Sequence, residues 1–589
     1  MPLGEDLTSW RLWWDFNHDA HLPLVVAEAA QPKTGADEFF LGATRAKEVQ
    51  SMRPSRAVMV QDVLPALRQA IVSGPAEVTA AALLAMARAG LDHPDFSRVE
   101  EISKRLGDGD QSVRECAALA LGLTGDSEAF ALLSSTLRGK ATPMHRKGAE
   151  ISTRTRAFAA YGLGTLAREA GTTKQKAFVF DELDRVLKDD AVDREVRVAA
   201  LQAVSLLDLE GRGGGGYQGA RLLDRVLARL DGMLTLASSR AERDVQSQVP
   251  VAIARLLGPG HRRTPRYRKR FAAILSGRRA DGRRLSKVPH EVSQSCALAI
   301  GQMLGSGRGD ADVVVGRADI QKVLLDVWRS HKDAQTRNFA MLALGKLGGE
   351  ENRRALLRTF RRASSAVERP WCALALGLLA GEHRLRTGET DRYVVDRLEE
   401  SFAKTKNPEA AGAMAVALGL AHADGARNVL MERLRRGASK PQLAAAVSDA
   451  LSMLGDAGGC DSLRKLLSDC DRQPELYGHV GAALGRLGDA EIANELAVRL
   501  SAGEANRAMQ VAIANALADV GDRRQVGRLV RVAGDRSRSA ITRVGAVRAL
   551  SGILRRGSAR WNTPLRANIN YRSVVASLTD RNAGVLDLR

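Results

Sequence analysis

The stretch AALGRLGD, Ala482 to Asp489, decides the fold once its neighbours are aligned with it. Thirty-three residues upstream the chain reads ALSMLGD, ending at Asp456, and thirty-three downstream it reads ALADVGD, ending at Asp522. Ala and Leu favour helix, and a Gly just past the last apolar residue is a common helix stop. An Asp directly afterwards suits the start of the next helix, where its carboxylate accepts unpaired first-turn N–H groups. L-G-D therefore reads as one helix ending and another beginning within about two residues.

The other boundary of the unit is marked by proline. Pro408, Pro441 and Pro474 are spaced by 33 residues, each opening an Ala/Leu helix, at the position where the missing N–H costs nothing. Pro289 and Pro370 stand in a similar place before SCALAIGQMLG and WCALALGLLAG. A second register runs through the same units. Arg114, Arg156, Arg197, Arg337, Arg369 and Arg543 each precede a small residue by three and an aliphatic by seven, and a Gly or Ser often follows the aliphatic. Offsets of three and seven share one helical face, and the small residue allows neighbouring helices to approach closely. In later units Ala411, Ala444, Tyr477 and Gln510 replace the arginine.

This pattern resembles the HEAT repeat family, in particular its short variety of about thirty residues. The resemblance spans about residues 60–555 as roughly thirteen units and implies an all-α fold, a right-handed α-solenoid (superhelix) of stacked antiparallel helix pairs. A single unit cannot bury both of its faces, so the stack supplies the core and its two open ends need caps. Three segments follow: 1–58, an N-terminal cap with a Trp-rich helix; 59–555, the solenoid; and 556–589, a C-terminal capping tail. Longer insertions lie between 209 and 319. In the first segment TSWRLWWDFN (8–17) places Trp10, Trp13 and Trp14 on one helical face. SWRLWWDFNHD with FFLG at 39–42, and NINYR with VLDLR at the tail, are similar to a group of bacterial HEAT-repeat proteins. That narrower resemblance implies no catalytic residues.

Composition agrees with this reading. A chain of 589 residues exceeds one ordinary core. Hydrophobic residues at 45% with aromatics at only 4% favour helix-on-helix packing of Leu, Ala and Val. Cys116, Cys296, Cys372, Cys460 and Cys470 show no C-x-x-C spacing, so they read as reduced core thiols rather than disulfides or a zinc site. The start MPLGEDLTSW has no basic and apolar leader, and no apolar run reaches the ~20 residues of a membrane span. The expectation is a cytoplasmic monomer, with the cell envelope as the alternative should the natural chain begin earlier.

No motif carries catalysis. Gly213 to Gly216 lack the G-K-[ST] of a phosphate loop. His18 and His21 beside Asp15 and Asp19 lack the further placed ligands that a metal needs. No catalytic residue, metal or cofactor is expected.

Charge gives the one candidate surface. The net charge is +20, and the segment 261–287 holds half of it, with eleven Lys/Arg against the single acid Asp281. Arg262, Arg263, Arg266, Arg268, Lys269, Arg270, Arg278, Arg279, Arg283, Arg284 and Lys287 are the candidate polyanion-binding residues, all expected to stay solvated. Tyr267 is the one aromatic among them with a polar edge, too few for base stacking and better suited to backbone or acidic-protein contact. The reading is a non-catalytic scaffold or adaptor that offers an extended concave surface to partner proteins, as an elongated particle. The alternative is sequence-independent nucleic-acid binding through 261–287. A HEAT-like lyase or glycosylase stands a distant third.

Overall fold

A computed structural model describes residues 7–22 and 54–588, apart from 142, 145–149, 210–215, 235–239, 280, 286, 305–315, 364–366, 438–439, 456, 490, 504–505, 555–559 and 581–583. FFLG at 39–42 and most of the glycine run at 213–216 lie outside the described residues.

Around the opening stretch the local chemistry acts as the residues dictate. Helix Pro474–Arg486 ends and Gly488 takes φ +81°. The Asp489 carboxylate then accepts from the N–H groups of Glu491 (3.1 Å) and Ile492 (3.2 Å), where helix Ile492–Ala502 begins.

Among the described residues the chain forms thirteen such hairpins. Their first helices are Leu64–Ser73, Arg98–Ser103, Ala129–Leu137, Thr173–Lys188, Tyr217–Met233, Thr264–Leu275, Arg317–Ser330, Glu350–Arg362, Arg392–Lys404, Arg427–Gly437, Cys460–Asp469, Ile492–Ala502 and Val526–Gly534. Their second helices are Ala76–Ala89, Gln111–Thr124, Thr153–Ala170, Arg194–Val204, Arg240–Leu257, His290–Gln302, Ala334–Leu347, Glu368–Thr387, Pro408–Leu420, Pro441–Leu454, Pro474–Arg486, Arg507–Val520 and Ala540–Ile553. Each second helix packs on the second helices before and after it, so the fold is an all-α solenoid of stacked antiparallel pairs.

The recurring small residues set that spacing. A Cβ at Gly164 would lie 2.7 Å from the Ala203 Cα of the next inner helix, and one at Gly377 would lie 2.6 Å from the Ala417 Cα. The recurring arginines tie each inner helix to the end of its outer partner. Arg114 Nη1 donates to the carbonyls of Asp108 (2.7 Å) and Gly109 (3.0 Å). Arg156 Nε donates to Leu137 (2.9 Å), Arg337 Nη1 to His331 (2.7 Å) and Arg543 Nε to Ala533 (2.9 Å). Those oxygens sit at the end of the outer helix or just past it, where carbonyls lack intrahelical donors. Where Tyr477 replaces the arginine, Arg499 of the next outer helix lies over its ring at 4.6 Å.

The ends of the stack differ from the expectation. The last inner helix, Ala540–Ile553, packs on the first, Ala76–Ala89, and outer helix Val526–Gly534 packs on Leu64–Ser73. Arg88 Nη1 donates to Ser551 Oγ at 2.9 Å, and Arg507 pairs with Glu77 at 3.5 Å. The solenoid of stacked helix pairs stands, but it closes into a ring, so the open ends and the elongated particle are corrected. Thirteen hairpins complete the turn at roughly 28° each, which buries the end faces against one another and leaves neither exposed.

Candidate functional site

Closing a ring of helices creates a lumen, and both terminal segments fill it. Ser9 opens helix Trp10–Asn17 by accepting from the Arg11 N–H at 3.3 Å. This helix lies against the inner helices rather than over a stack end. Trp14 Nε1 donates to Asp449 Oδ2 (3.0 Å), Arg11 pairs with Glu409 (2.6 Å), and Trp371 Nε1 donates to the Thr8 carbonyl (2.9 Å). The tail enters from the last hairpin, with both Asp519 carboxylate oxygens accepting from Arg560 Nη2 at 2.8 and 2.7 Å. It then crosses the lumen. Asn570 Nδ2 donates to Ser295 Oγ (3.0 Å), Gln335 Nε2 to Tyr571 Oη (2.7 Å), and Ser573 Oγ lies 2.6 Å from Ser247 Oγ.

The two terminal motifs meet there. Phe16 stacks on Tyr571 with ring centroids 5.7 Å apart, and Arg566 Nη2 donates to the Asp15 carbonyl at 2.6 Å. The Asn568 N–H donates to Asn17 Oδ1 at 2.9 Å. Leu586 of VLDLR accepts from Asn562 Nδ2 (2.9 Å) and Arg566 Nη1 (2.8 Å). Trp13, Phe339 and Trp371 extend the aromatic cluster, with Phe339 edge-on to both Trp371 and Tyr571. Sequence reading treated these motifs as two separate caps. No periodicity connects residues 551 positions apart, so their pairing had no signal.

Charge inside the lumen is balanced locally. Burial works to raise the Asp19 pKa, but Arg560, His18 and Arg566 outweigh it and hold the carboxyl well below its usual range. Burial likewise opposes ionisation of Asp449, yet His479 and Arg486 bring it down to about 2. Burial alone would lower the His479 pKa, and Asp449 at 3.5 Å raises it instead. Among the described residues no group of three or more His, Cys, Asp or Glu is placed to hold a metal ion. None of the five cysteines is in a disulfide, and four of them are buried.

The basic segment forms outer helix Thr264–Leu275 and the turn after it. One face of this helix, Thr264, Tyr267, Arg268, Phe271 and Leu275, points into the stack. Arg268 is therefore buried, with Nη1 donating to the Met303 carbonyl at 3.4 Å, which corrects the expectation that all eleven cations stay solvated. Its place on the 264–271–275 face explains why. Arg263 pairs with Asp224 and Arg270 with Asp231, both on the preceding outer helix, and Arg266 lies 4.0 Å from Asp231. Arg283 lies 3.8 Å from Asp281, and Arg278 Nη1 donates to the Gly282 carbonyl at 3.2 Å. Arg262, Lys269, Arg279, Arg284 and Lys287 are exposed, with no side-chain partner among the described residues.

The fold thus defines a closed α-solenoid with a plugged lumen. Residues 64–154 match the family model described as HEAT repeats. No curated protein matches the chain by sequence. Among solved structures it is similar to yeast importin-beta (Kap95p), at 11% identity over 87% of this chain and 70% of that one, with a TM-score of 0.40. An engineered protein is 18% identical over 67% of this chain and 99% of that one, TM-score 0.28. Human deoxyhypusine hydroxylase is 20% identical over 60% of this chain and 95% of that one, TM-score 0.21. Among the described residues no helix is long and apolar enough to cross a membrane.

Proposed function

We propose that the protein is a non-catalytic scaffold that binds partner proteins on its outer helices and rims. The observation that carries this reading is the occupied lumen. The concave face of a solenoid is its usual broad binding surface, and here both terminal segments lie on it with buried aromatic and charged contacts. What remains for a large partner is the convex side, where Tyr217, Phe178 and Tyr393 are exposed on outer helices. Cross-linking mass spectrometry on partner complexes tests it. Links should fall on outer helices and rims; links concentrated on lumen residues such as Gln335 or Asp449 would overturn it.

The five exposed cations favour a second contact of the same scaffold, with a polyanion. Such binding rests on counterion release, so its affinity should fall log-linearly with salt and be indifferent to sequence. Changing Arg262, Lys269, Arg279 and Arg284 to Glu should abolish binding to short duplex DNA or an acidic protein while the melting temperature holds. Arg268 is excluded from that set because it is buried. Binding that survives the reversal places the polyanion elsewhere.

A further inference from the structure

Among the described residues the plug leaves a sector of the lumen open at the seam where the ring closes. There a cavity of about 390 Å³ lies between the first and last inner helices and their neighbours, reached from the tail by Asp587 and Leu588. That volume falls in the ~300–1,000 Å³ range of small-molecule sites. Its apolar wall is built by Ala81, Leu84, Phe158, Val511, Val544 and Leu588.

The polar groups facing that wall are unequally committed. Glu115 is committed to Arg154, which holds it with Nε and Nη2 at 3.0 Å each. Glu77 pairs with Arg507, and both are exposed at the rim. Burial pushes the Cys116 thiol up to about 12, so it stays neutral and supplies no counter-charge. Arg548 also lines the cavity, half-buried, and among the described residues it has no hydrogen bond or ion pair. Burial pulls its pKa below the ordinary value, only partly opposed by the charged Glu77, yet a guanidinium keeps its proton in proteins. Asn515, another lining residue, has a buried Oδ1 without a partner. An amide can turn either its oxygen or its nitrogen towards a ligand.

We propose that this seam cavity binds a small amphipathic monocarboxylate, with its carboxylate on the Arg548 guanidinium, its other polar contact at Asn515, and its apolar body along the seam wall. The planar fork of Arg matches a carboxylate with two parallel hydrogen bonds. A single negative charge fits because Glu77, Glu115 and Asp587 line the same space and repel a second one. A neutral apolar ligand would fill the walls but leave Arg548 buried beside it unpaired, which costs free energy. The site joins the first three hairpins to the last two, so an occupant would also bridge the ring closure.

Calorimetric titration of the full chain with octanoate tests this, with acetate (charge without tail) and 1-octanol (tail without charge) as comparators. Octanoate should bind saturably at one site, and the comparators at least about tenfold more weakly, the scale of one lost charge-assisted contact. Arg548→Gln should weaken octanoate at least about tenfold and bring it level with octanol. Val511→Phe fills the cavity and leaves Arg548 in place, so it should abolish binding even if Arg548→Gln lowers the melting temperature. No saturable octanoate binding, octanol binding as tightly as octanoate, or octanoate binding unchanged in Val511→Phe would each overturn the proposal.

Discussion

Buried Asp449, backed by the half-buried His479, shows how a single carboxylate ties the plug to the ring. Asp449 accepts from Trp14 Nε1 on one side and faces His479 and Arg486 on the other. His479 also feels Asp15 of the plug and Glu475 one turn back on its own helix. Its folded pKa is raised above 6.5, so the stability it contributes is fully present below 6.5 and is lost as pH rises through the raised value. Asp449 is lowered from 3.8 to about 2, so its contribution is present above 3.8 and is lost as pH falls through about 2. Thermal stability due to the pair should therefore be greatest between about pH 4 and 6.5. His479→Gln should lower the melting temperature clearly at pH 5.5 and much less at pH 9. An equal loss at both values would mean that the histidine acts only by packing.

At the level of the element, helix Trp10–Asn17 and the tail stabilise each other as one unit. Neither has a partner of its own in the repeat pattern, yet Phe16 stacks on Tyr571 and Arg566 lies over the Phe16 ring at 5.8 Å. Aromatic pairs of this kind add about 0.5–1.5 kcal/mol beyond their buried area. A double-mutant cycle of Phe16→Ala and Tyr571→Ala, read by denaturant unfolding, should give a coupling of that size. Strict additivity would mean that the two terminal segments occupy the lumen independently.

For the whole molecule, ring closure changes both shape and cooperativity. A compact chain of this length has a radius of gyration of about 25 Å, whereas thirteen hairpins stacked in a straight line at about 10 Å each would reach about 40 Å. Small-angle scattering should give a value within a few Å of the compact figure. In an open array the terminal repeats fray first. Here Leu64–Ser73 and Val526–Gly534 cover each other, so amides in Ala76–Ala89 and Ala540–Ile553 should exchange as slowly as those in Glu368–Thr387. Fast exchange confined to those two helices, together with a large radius, would mean that the ring opens in solution.

The sequence by itself determined the hairpin. Pro at the helix start, Gly and Asp at its end, and the arginine–small–aliphatic spacing all act over a few residues, so periodicity carries them. It also determined where Trp10, Trp13 and Trp14 share a face, because that too is local. Tertiary structure decided the rest. Whether thirteen hairpins form an open superhelix or a ring depends on the small rotation between neighbours, summed over the whole stack. No single repeat encodes that sum. The same holds for Arg268, solvated in a charge count but turned inward by its helix face, and for Arg548. Closure sets Arg548 facing Glu77 and Cys116, more than four hundred residues away, in a cavity that exists only once the last hairpin meets the first.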